Sequence, residues 1–237
     1  MKPPIIVTRA QPGADETAGR LQSEGFTPLL SPALEIKATP PIAPPRQAVH
    51  HLIFTSANGV RFFANTSQAR DAQAWCVGDA TAAEAHAAGF SRIHNAKGNA
   101  DDLTALILKH PTLKTDRWCH VANTAAAGNL VATLKDASLN VTFRPLYETA
   151  PAPHLSEPAR IALNTVAPKI VLVHSAKGAT AFVHLARDID LSSATIAAIS
   201  PNAAAPFLGV PTGPIIRAAR PNEDALMQAV HIAVQSL

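Results

Sequence analysis

The feature that most constrains the fold of this 237-residue chain is an internal repeat. The stretch "FTSANGV", which begins at Phe54, is echoed by "HSAKGA", which begins at His174, and each follows a short apolar run. Ser56 precedes Ser175 by 119 positions, "GNADDL" precedes "PNEDAL" by 123, and "LLSPALEI" precedes "TFRPLYET" by 113. The blocks keep their order, and the distance in sequence between matched blocks increases gradually along the chain, as small loop insertions would produce. The sequence therefore predicts two similar halves.

Both halves alternate short β-like runs with amphipathic helical stretches. "PIIVT", "HLIFT", "AWCVG" and "RWCHVA" are typical of strands, and helices are predicted near 14–23, from Asn58, and through "ATAAEAHAAGF", "ADDLTALILKH" and "AAGNLVATLKDA". Strands separated by helices of this length indicate right-handed β-α-β units around mainly parallel sheets. The predicted fold class is α/β, with two similar parallel-sheet lobes.

Two P-x-x-E segments occupy equivalent places in the two halves. Pro32 and Glu35 form the first, and Pro145 and Glu148 the second; each is followed by proline-rich sequence, "KATPPIAPP" and "APAPH". Proline at this density excludes helix and stiffens a connection. We therefore expect two extended strands that pass between the lobes, with a cleft beside them. A single continuous sheet with proline-rich surface loops remains an alternative.

The turns that follow the predicted strands are rich in Ser, Thr, Asn and Gly. In an open parallel sheet, ligands bind beyond the carboxyl ends of the strands, where helix N-termini favour anions. The candidate binding residues in these turns are Ser56, Asn58, Gly78, Ser175, Lys177 and Asn202. For any one turn, simple helix capping explains the same residues, and Asn99 and Asn222 are good N-caps. The recurrence of these turns at equivalent positions of the two halves favours a polyanionic ligand.

Composition and motifs exclude several other classes of protein. The net charge is +3, with Lys and Arg scattered, so the basic stripe of a nucleic-acid binder is missing. The sequence lacks a G-x-S-x-G elbow, a dinucleotide fingerprint, a P-loop and a His-rich metal motif. Cys76 and Cys119 belong to no C-x-x-C pair and are expected to be buried reduced thiols. Without a signal peptide or an apolar run of membrane length, we expect a soluble cytoplasmic protein.

Tyr147 is the one tyrosine of the sequence and lies on the second predicted crossing strand. A phenol is neutral at pH 7 and can donate a proton or a hydrogen bond. An isolated tyrosine at a strand edge is more often an amphipathic packing residue. Both interpretations remain open from the residues alone.

The ordered blocks resemble the uroporphyrinogen-III synthase family over nearly the whole chain. They are "VTRAQPGADETAGRLQSEGFTPLLSPALEI", "LIFTSANGVRFF", "VGDATAAEAHAAGF", "GNADDL", "LYETAP", "HSAKGATAF" and "RPNEDALMQAV". The resemblance implies one domain built from 1–33 plus 150–237, another from 38–145, and an antiparallel two-stranded linker at 34–37 and 146–149. It also implies a cofactor-free reaction in which hydroxymethylbilane loses water and closes to uroporphyrinogen III with its last pyrrole ring inverted.

The resemblance also assigns roles to individual residues. Tyr147 matches the family tyrosine thought to help the hydroxyl leave, Ser56, Thr81 and Ser175 match substrate-contacting positions, and Arg9 matches an N-terminal basic residue. Two turns depart from the family pattern: 123–125 lacks the usual Gly- and Arg-rich sequence, and at 200–203 contact rests on Asn202 and the main chain.

Two other classes of function stay open at this stage. One is a non-catalytic two-lobed binder of a small polyanion, and the other is a degenerate synthase-like domain kept for regulation. Partners other than the small tetrapyrrole are not indicated, and we expect a monomer.

Overall fold

The computed structural model describes residues 2–40, 48–111, 115–126 and 129–237. Most of the first proline-rich segment and the start of the predicted helix "AAGNLVATLKDA" lie outside these residues. The chain divides into two compact units, the first formed by Met1–Ile36 and Ala150–Leu237 and the second by Lys37–Thr149. No helix in the described part of the chain is long and apolar enough to cross a membrane.

The described residues form strands and helices in alternation. The strands are β1 (Ile5–Val7), β2 (Pro28–Leu30), β3 (Leu34–Ala38), β4 (His51–Phe54), β5 (Gln73–Cys76), β6 (Ile93–Asn95), β7 (Arg117–Asn123), β8 (Asn140–Pro151), β9 (Lys169–Val173), β10 (Ala194–Ala198) and β11 (Ile215–Arg217). The helices are α1 (Gly13–Ser23), α2 (Ala57–Thr66), α3 (Asp79–Ala87), α4 (Ala100–Leu108), α5 (Leu130–Asp136), α6 (Glu157–Leu163), α7 (Ala176–Leu185), α8 (Pro201–Ala204) and α9 (Glu223–Gln235).

The sheet of unit 1 has the strand order β11-β10-β9-β1-β2, and its paired strands run parallel. Its central strands are mostly apolar and buried on both faces, as expected when helices cover a parallel sheet on both sides. Ile6 and Val171 pack with residues of α6, α7 and α8, whereas Ile5 and Ile170 pack with residues of α1 and α9. Alternate side chains of each strand therefore belong to two cores, one on each face.

The sheet of unit 2 has the order β3-β8-β7-β4-β5-β6. The pairs from β8 to β6 are parallel, and Ile53, Trp75 and Trp118 pack on one face against α4 and α5. Taken from β6 to β8, this order repeats that of unit 1, with β4 and β9 at the centre of each series. The α/β fold class, with two similar parallel-sheet units, is thus confirmed.

Strands β3 and β8 run continuously from one unit into the other. The amide of Thr39 donates to the carbonyl of Leu146 (3.0 Å), and that of Ala152 donates to the carbonyl of Ala33 (2.9 Å), a pattern of antiparallel pairing. β8 is twelve residues long, because the strand that pairs with β7 inside unit 2 continues directly into the crossing strand. Its register against β7 shifts beside Pro145, which has no amide hydrogen to donate to the ladder.

Candidate functional site

The repeated serines cap the helices that follow the central strands. The Oγ of Ser56 accepts a hydrogen bond from the amide of Asn58 at the start of α2 (3.1 Å), and the Oγ of Ser175 accepts one from the amide of Gly178 at the start of α7 (3.0 Å). Both serines have extended backbone conformations, as N-cap residues do. Capping is therefore a structural role that both copies share, whatever else they contact.

Tyr147 lies on β8 and is buried, with 5% of its surface exposed. Its ring stacks on Phe62 of α2, with 5.0 Å between centroids and 12° between planes. Burial raises the pKa of the phenol, while hydrogen bonds from Ser56 and from the main chain of Asn123 partly offset that rise. The result is a neutral phenol held by one ring contact and two hydrogen-bonding partners.

Tyr147 and Ser56 line one cavity of about 430 Å³ in unit 2. A volume of this size is within the range of small-molecule sites. The cavity lies where β4 and β7 end, the edge at which parallel sheets bind ligands. Its lining comprises Thr55, Ser56, Ala100, His120, Asn123, Ala126, Leu130, Val131, Phe143 and Tyr147. Among the described residues, the lining contains no Asp, Glu, Lys or Arg, so their polar groups that face a ligand here are hydroxyls, an amide and an imidazole.

His120 is a cavity residue that sequence reasoning missed. It lies on β7, is 5% exposed, and places Nε2 3.1 Å from the Thr55 hydroxyl. Burial lowers its pKa to about 4, so the imidazole is neutral at pH 7. One histidine within an apolar strand carries no local signal. Only the alignment of β7 beside β4 brings it against the turn that contains Ser56.

Asn123, in the turn that departs from the family pattern, also reaches the cavity. Its side-chain amide donates to the Thr149 hydroxyl (2.9 Å), and its Oδ1 accepts from the amide of Ala125 (2.8 Å). The side chain therefore fixes the turn that follows β7. Its main chain bonds the Tyr147 phenol, so this turn contributes to the site without an arginine.

Three other predicted residues of unit 2 are not among the residues that line this cavity. The Oδ1 of Asn58 accepts from Arg61 (3.2 Å), and Gly78 is the N-cap of α3. Thr81 is buried within α3, with 4% of its surface exposed. The structure thus brings Ser56 and Tyr147 together and places Asn58, Gly78 and Thr81 elsewhere on α2 and α3.

At the equivalent edge of unit 1, Arg9 is part of a charged network. Its guanidinium lies 3.6 Å from the carboxylate of Glu16 and 3.8 Å from that of Glu223, and it donates to Thr17 (3.2 Å). Glu223 also accepts from Thr17 (2.8 Å) and lies 3.2 Å from Nε2 of His174. Burial opposes ionisation of Glu223, but bonds from His174 and Thr17, together with the charges of His174 and Arg9, lower its pKa to about 2.

The remaining predicted residues of unit 1 lie on its surface. Ser175 and Lys177 are exposed at the first turn of α7, and Asn202 is exposed in the four-residue helix α8. Ser200, which precedes α8, caps it by accepting from the amide of Ala203 (3.2 Å). These side chains are accessible to an anionic ligand.

The family profile described as uroporphyrinogen-III synthase HemD matches residues 15–228, which is most of the chain. The chain belongs to the uroporphyrinogen-III synthase family. Its members are cyclising lyases of heme biosynthesis that act on a tetrapyrrole. The resemblance noted from the sequence blocks is therefore confirmed.

Solved structures support the same fold. The uroporphyrinogen-III synthetase of Helicobacter pylori is 17% identical, with a TM-score of 0.66 over 98% of this chain and 99% of that one. A mutant uroporphyrinogen III synthase of Thermus thermophilus is 16% identical, with a TM-score of 0.51 over 99% of each chain. At this level of identity the likeness shows the fold alone. A comparison with curated protein sequences gave no significant match.

Proposed function

We propose that this protein is a working uroporphyrinogen-III synthase whose chemistry takes place beside Tyr147. In this reaction the hydroxyl of hydroxymethylbilane leaves as water, and the chain closes to uroporphyrinogen III with its last ring inverted, which makes the enzyme a hydro-lyase. Membership of the family supports the activity. The position of the reaction is supported by the buried, neutral Tyr147 phenol on the wall of an uncharged cavity.

The Tyr147 phenol is suited to assist loss of the hydroxyl. A hydroxide is a poor leaving group, so a proton or a strong hydrogen bond must reach the oxygen as the carbon–oxygen bond breaks. The Tyr147 proton is available at any pH below the raised pKa of its phenol. Ser56 and the main chain of Asn123 stabilise the oxygen when its proton is displaced towards the leaving group. Tyr147 is therefore proposed as the proton or hydrogen-bond donor.

The cavity also provides what the resulting cation needs. Departure of water leaves a positively charged azafulvene, which the solvent would capture if it were exposed. The walls formed by Leu130, Val131 and Phe143 are apolar and offer no nucleophile to the cation, and the aromatic faces of Phe143 and Tyr147 favour it. The substrate's carboxylates need separate donors. We assign these to Ser175, Lys177, Asn202, Arg9 and the helix N-termini that follow the strands.

Complementation of a bacterial strain that lacks the synthase tests the activity. Expression of the wild-type protein is expected to restore growth without added heme, whereas an empty vector does not. A Cys76→Ala variant should restore growth as the wild type does, because Cys76 is buried on β5 and does not line the cavity. Expression of folded wild-type protein without growth would contradict the proposal and favour a non-catalytic binder or regulatory domain.

A further inference from the structure

The cavity of unit 2 contains the imidazole of His120, which has no role in the proposed departure of the hydroxyl. His120 lies on β7, where it is paired with Ile53 of β4 and Phe143 of β8. Its ring is 5.5 Å from the ring of Phe143, and both side chains line the cavity that Tyr147 lines. A histidine that is 95% buried in an α/β core calls for an explanation, because desolvation of an imidazole is unfavourable unless its nitrogens are paired.

The two ring nitrogens of His120 are not equivalent. Nε2 is 3.1 Å from the hydroxyl of Thr55, whereas Nδ1 is buried and has no hydrogen-bond partner among the described residues. A neutral imidazole has one donor and one acceptor. Thr55 pairs with one of them, and because the His120 ring is buried on β7, this bond holds the Thr55 hydroxyl against that strand.

Thr55 connects His120 to the residues around the phenol. It immediately precedes Ser56, which caps α2 and bonds the Tyr147 oxygen. A polar path therefore leads from β7 through the turn after β4 to Tyr147 on β8. Each step is a hydrogen bond or a neighbouring residue of the chain. Displacement of the Thr55 hydroxyl would disturb the turn from which Ser56 reaches the phenol.

We infer, on the basis of the proposed function, that His120 is a positioning residue of the synthase: its Nε2 orients the Thr55 hydroxyl at the wall of the cavity that receives the reacting pyrrole ring. The role requires an imidazole that is neutral, as burial makes it. When the carbon–oxygen bond breaks, both electrons leave with the oxygen, which takes a proton and departs as water. The positive charge stays on the ring and its methylene carbon, where a protonated histidine would oppose it.

Kinetics of His120 and Thr55 variants test this role. His120→Phe keeps a flat ring but removes the bond to Thr55, and we expect kcat to fall about tenfold, with a smaller change in KM. His120→Gln can place an amide near the position of Nε2, so it should recover most of the lost kcat. Thr55→Val removes the same bond from the other partner. The double variant should lose little more than either single variant, because both remove one interaction.

His51→Phe is the matched control. His51 is equally buried, has a pKa also lowered to about 4 by burial, and lies at the far end of β4 from Thr55. It should lower the unfolding temperature without changing kcat. Circular dichroism at the assay temperature should show that His120→Phe is as folded as this control. The inference then requires kcat to be lower in His120→Phe than in the control. Should His120→Phe fail to fold, Thr55→Val carries the same test.

The outcomes separate this inference from the proposed function. If the wild type is active while Thr55→Val and folded His120→Phe keep full kcat, His120 is only a packing residue and the inference is wrong. Additive losses in the double variant would also contradict it. If the wild type itself gives no cyclised product, the proposed function fails and takes the inference with it.

Discussion

At the scale of single residues, burial determines the chemistry of the site more than charge does. Tyr147 and His120 are both nearly inaccessible to solvent, and burial moves their pKa values in the directions that keep each group neutral at pH 7. A neutral phenol can hydrogen-bond with the substrate, and a neutral imidazole can hold the Thr55 hydroxyl, without repelling a cation. In unit 1, by contrast, the Glu223 carboxylate is paired with Arg9 and His174.

Tyr147→Phe tests the residue scale directly. The variant keeps the stack on Phe62 and removes the hydroxyl, so we expect folding to be intact and kcat to fall by about 100-fold or more. Because Tyr147 is the one tyrosine, the ultraviolet absorbance of phenolate also reports its pKa in the wild type. The midpoint of the titration should lie above 10, the model-peptide value. Unchanged kcat, or a midpoint at or below 10, would contradict the assignment.

At the scale of elements, the close approach of α2 to β7 positions Ser56. A Cβ on Gly59 would lie 2.8 Å from the carbonyl oxygen of Val121, a main-chain atom that cannot move independently of its strand. Gly59 therefore permits α2 to pack directly over the sheet. By contrast, a Cβ on Gly19, inside α1, would meet nothing within 4 Å.

These two glycines predict opposite effects of the same substitution. Gly59→Ala should lower stability by about 1–3 kcal/mol and reduce kcat, because α2 must shift away from β7 and take Ser56 with it. Gly19→Ala should raise stability by about 0.5–1 kcal/mol and leave kcat unchanged, since alanine favours a helix interior. Urea unfolding with parallel assays measures both. A neutral Gly59→Ala would show that the approach of α2 does not position the site.

A second group of elements encloses a cluster of histidines and tryptophans in unit 2. His51 stacks on Trp118 with 3.9 Å between centroids, and His94 stacks on Trp75 at the same distance. The Nε1 of Trp75 donates to Nδ1 of His51 (3.2 Å). Burial lowers the pKa of His51 to about 4; Asp116 partly opposes this shift, whereas His110 and His50 add to it. Because Nδ1 accepts the bond from Trp75, that bond depends on an uncharged His51.

Because the pKa of His51 is lowered in this cluster, we expect the protein to lose stability in mild acid. The unfolded chain binds a proton at His51 near pH 6.5, whereas the folded protein does so near pH 4. Since the unfolded state binds more protons in this window, the free energy of unfolding falls as the pH drops from about 6.5 to 4, by up to about 3 kcal/mol for His51. His120 contributes in the same direction. Urea unfolding followed by tryptophan fluorescence should show a shallower pH dependence in His51→Phe.

Sequence patterns predicted the alternation of strands and helices and the edges at which ligands are expected, because alternation and capping are local properties. Tyr147 and Ser56 were also predicted, whereas His120 was not. Its significance depends on β7 lying beside β4, a pairing between residues far apart in the chain. The charged partners of Arg9 were missed for the same reason, since Glu223 comes from the opposite end of the sequence.

At the scale of the whole molecule, duplication has produced two edges with different chemistry. In the repeat, Thr55 corresponds to His174 and Ala100 to Glu223. Unit 2 therefore presents an uncharged cavity at this edge, while unit 1 has a carboxylate bonded to Arg9, Thr17 and His174. This network joins residues from both ends of the chain and contributes to the stability of the discontinuous unit.

Glu223→Gln tests the contribution of that network. The pKa of the carboxyl is about 2 in the folded protein against 4.5 for the free group, so its ionised form stabilises the fold above pH 4.5, and this stabilisation is lost as the pH falls towards 2. Allowing for partial exposure, we expect the variant to be about 2 kcal/mol less stable at pH 7. The difference from wild type should shrink between pH 5 and pH 3. A constant difference across that range would contradict the ionic origin of the effect.

The isomer composition of the product tests the central claim most directly. Purified wild-type protein should convert freshly made hydroxymethylbilane mainly to the type III isomer, because the enzyme inverts the last ring as it closes the macrocycle. Tyr147→Phe at equal concentration should allow much more of the spontaneous type I isomer to form. A wild-type product indistinguishable from the enzyme-free mixture would contradict the account.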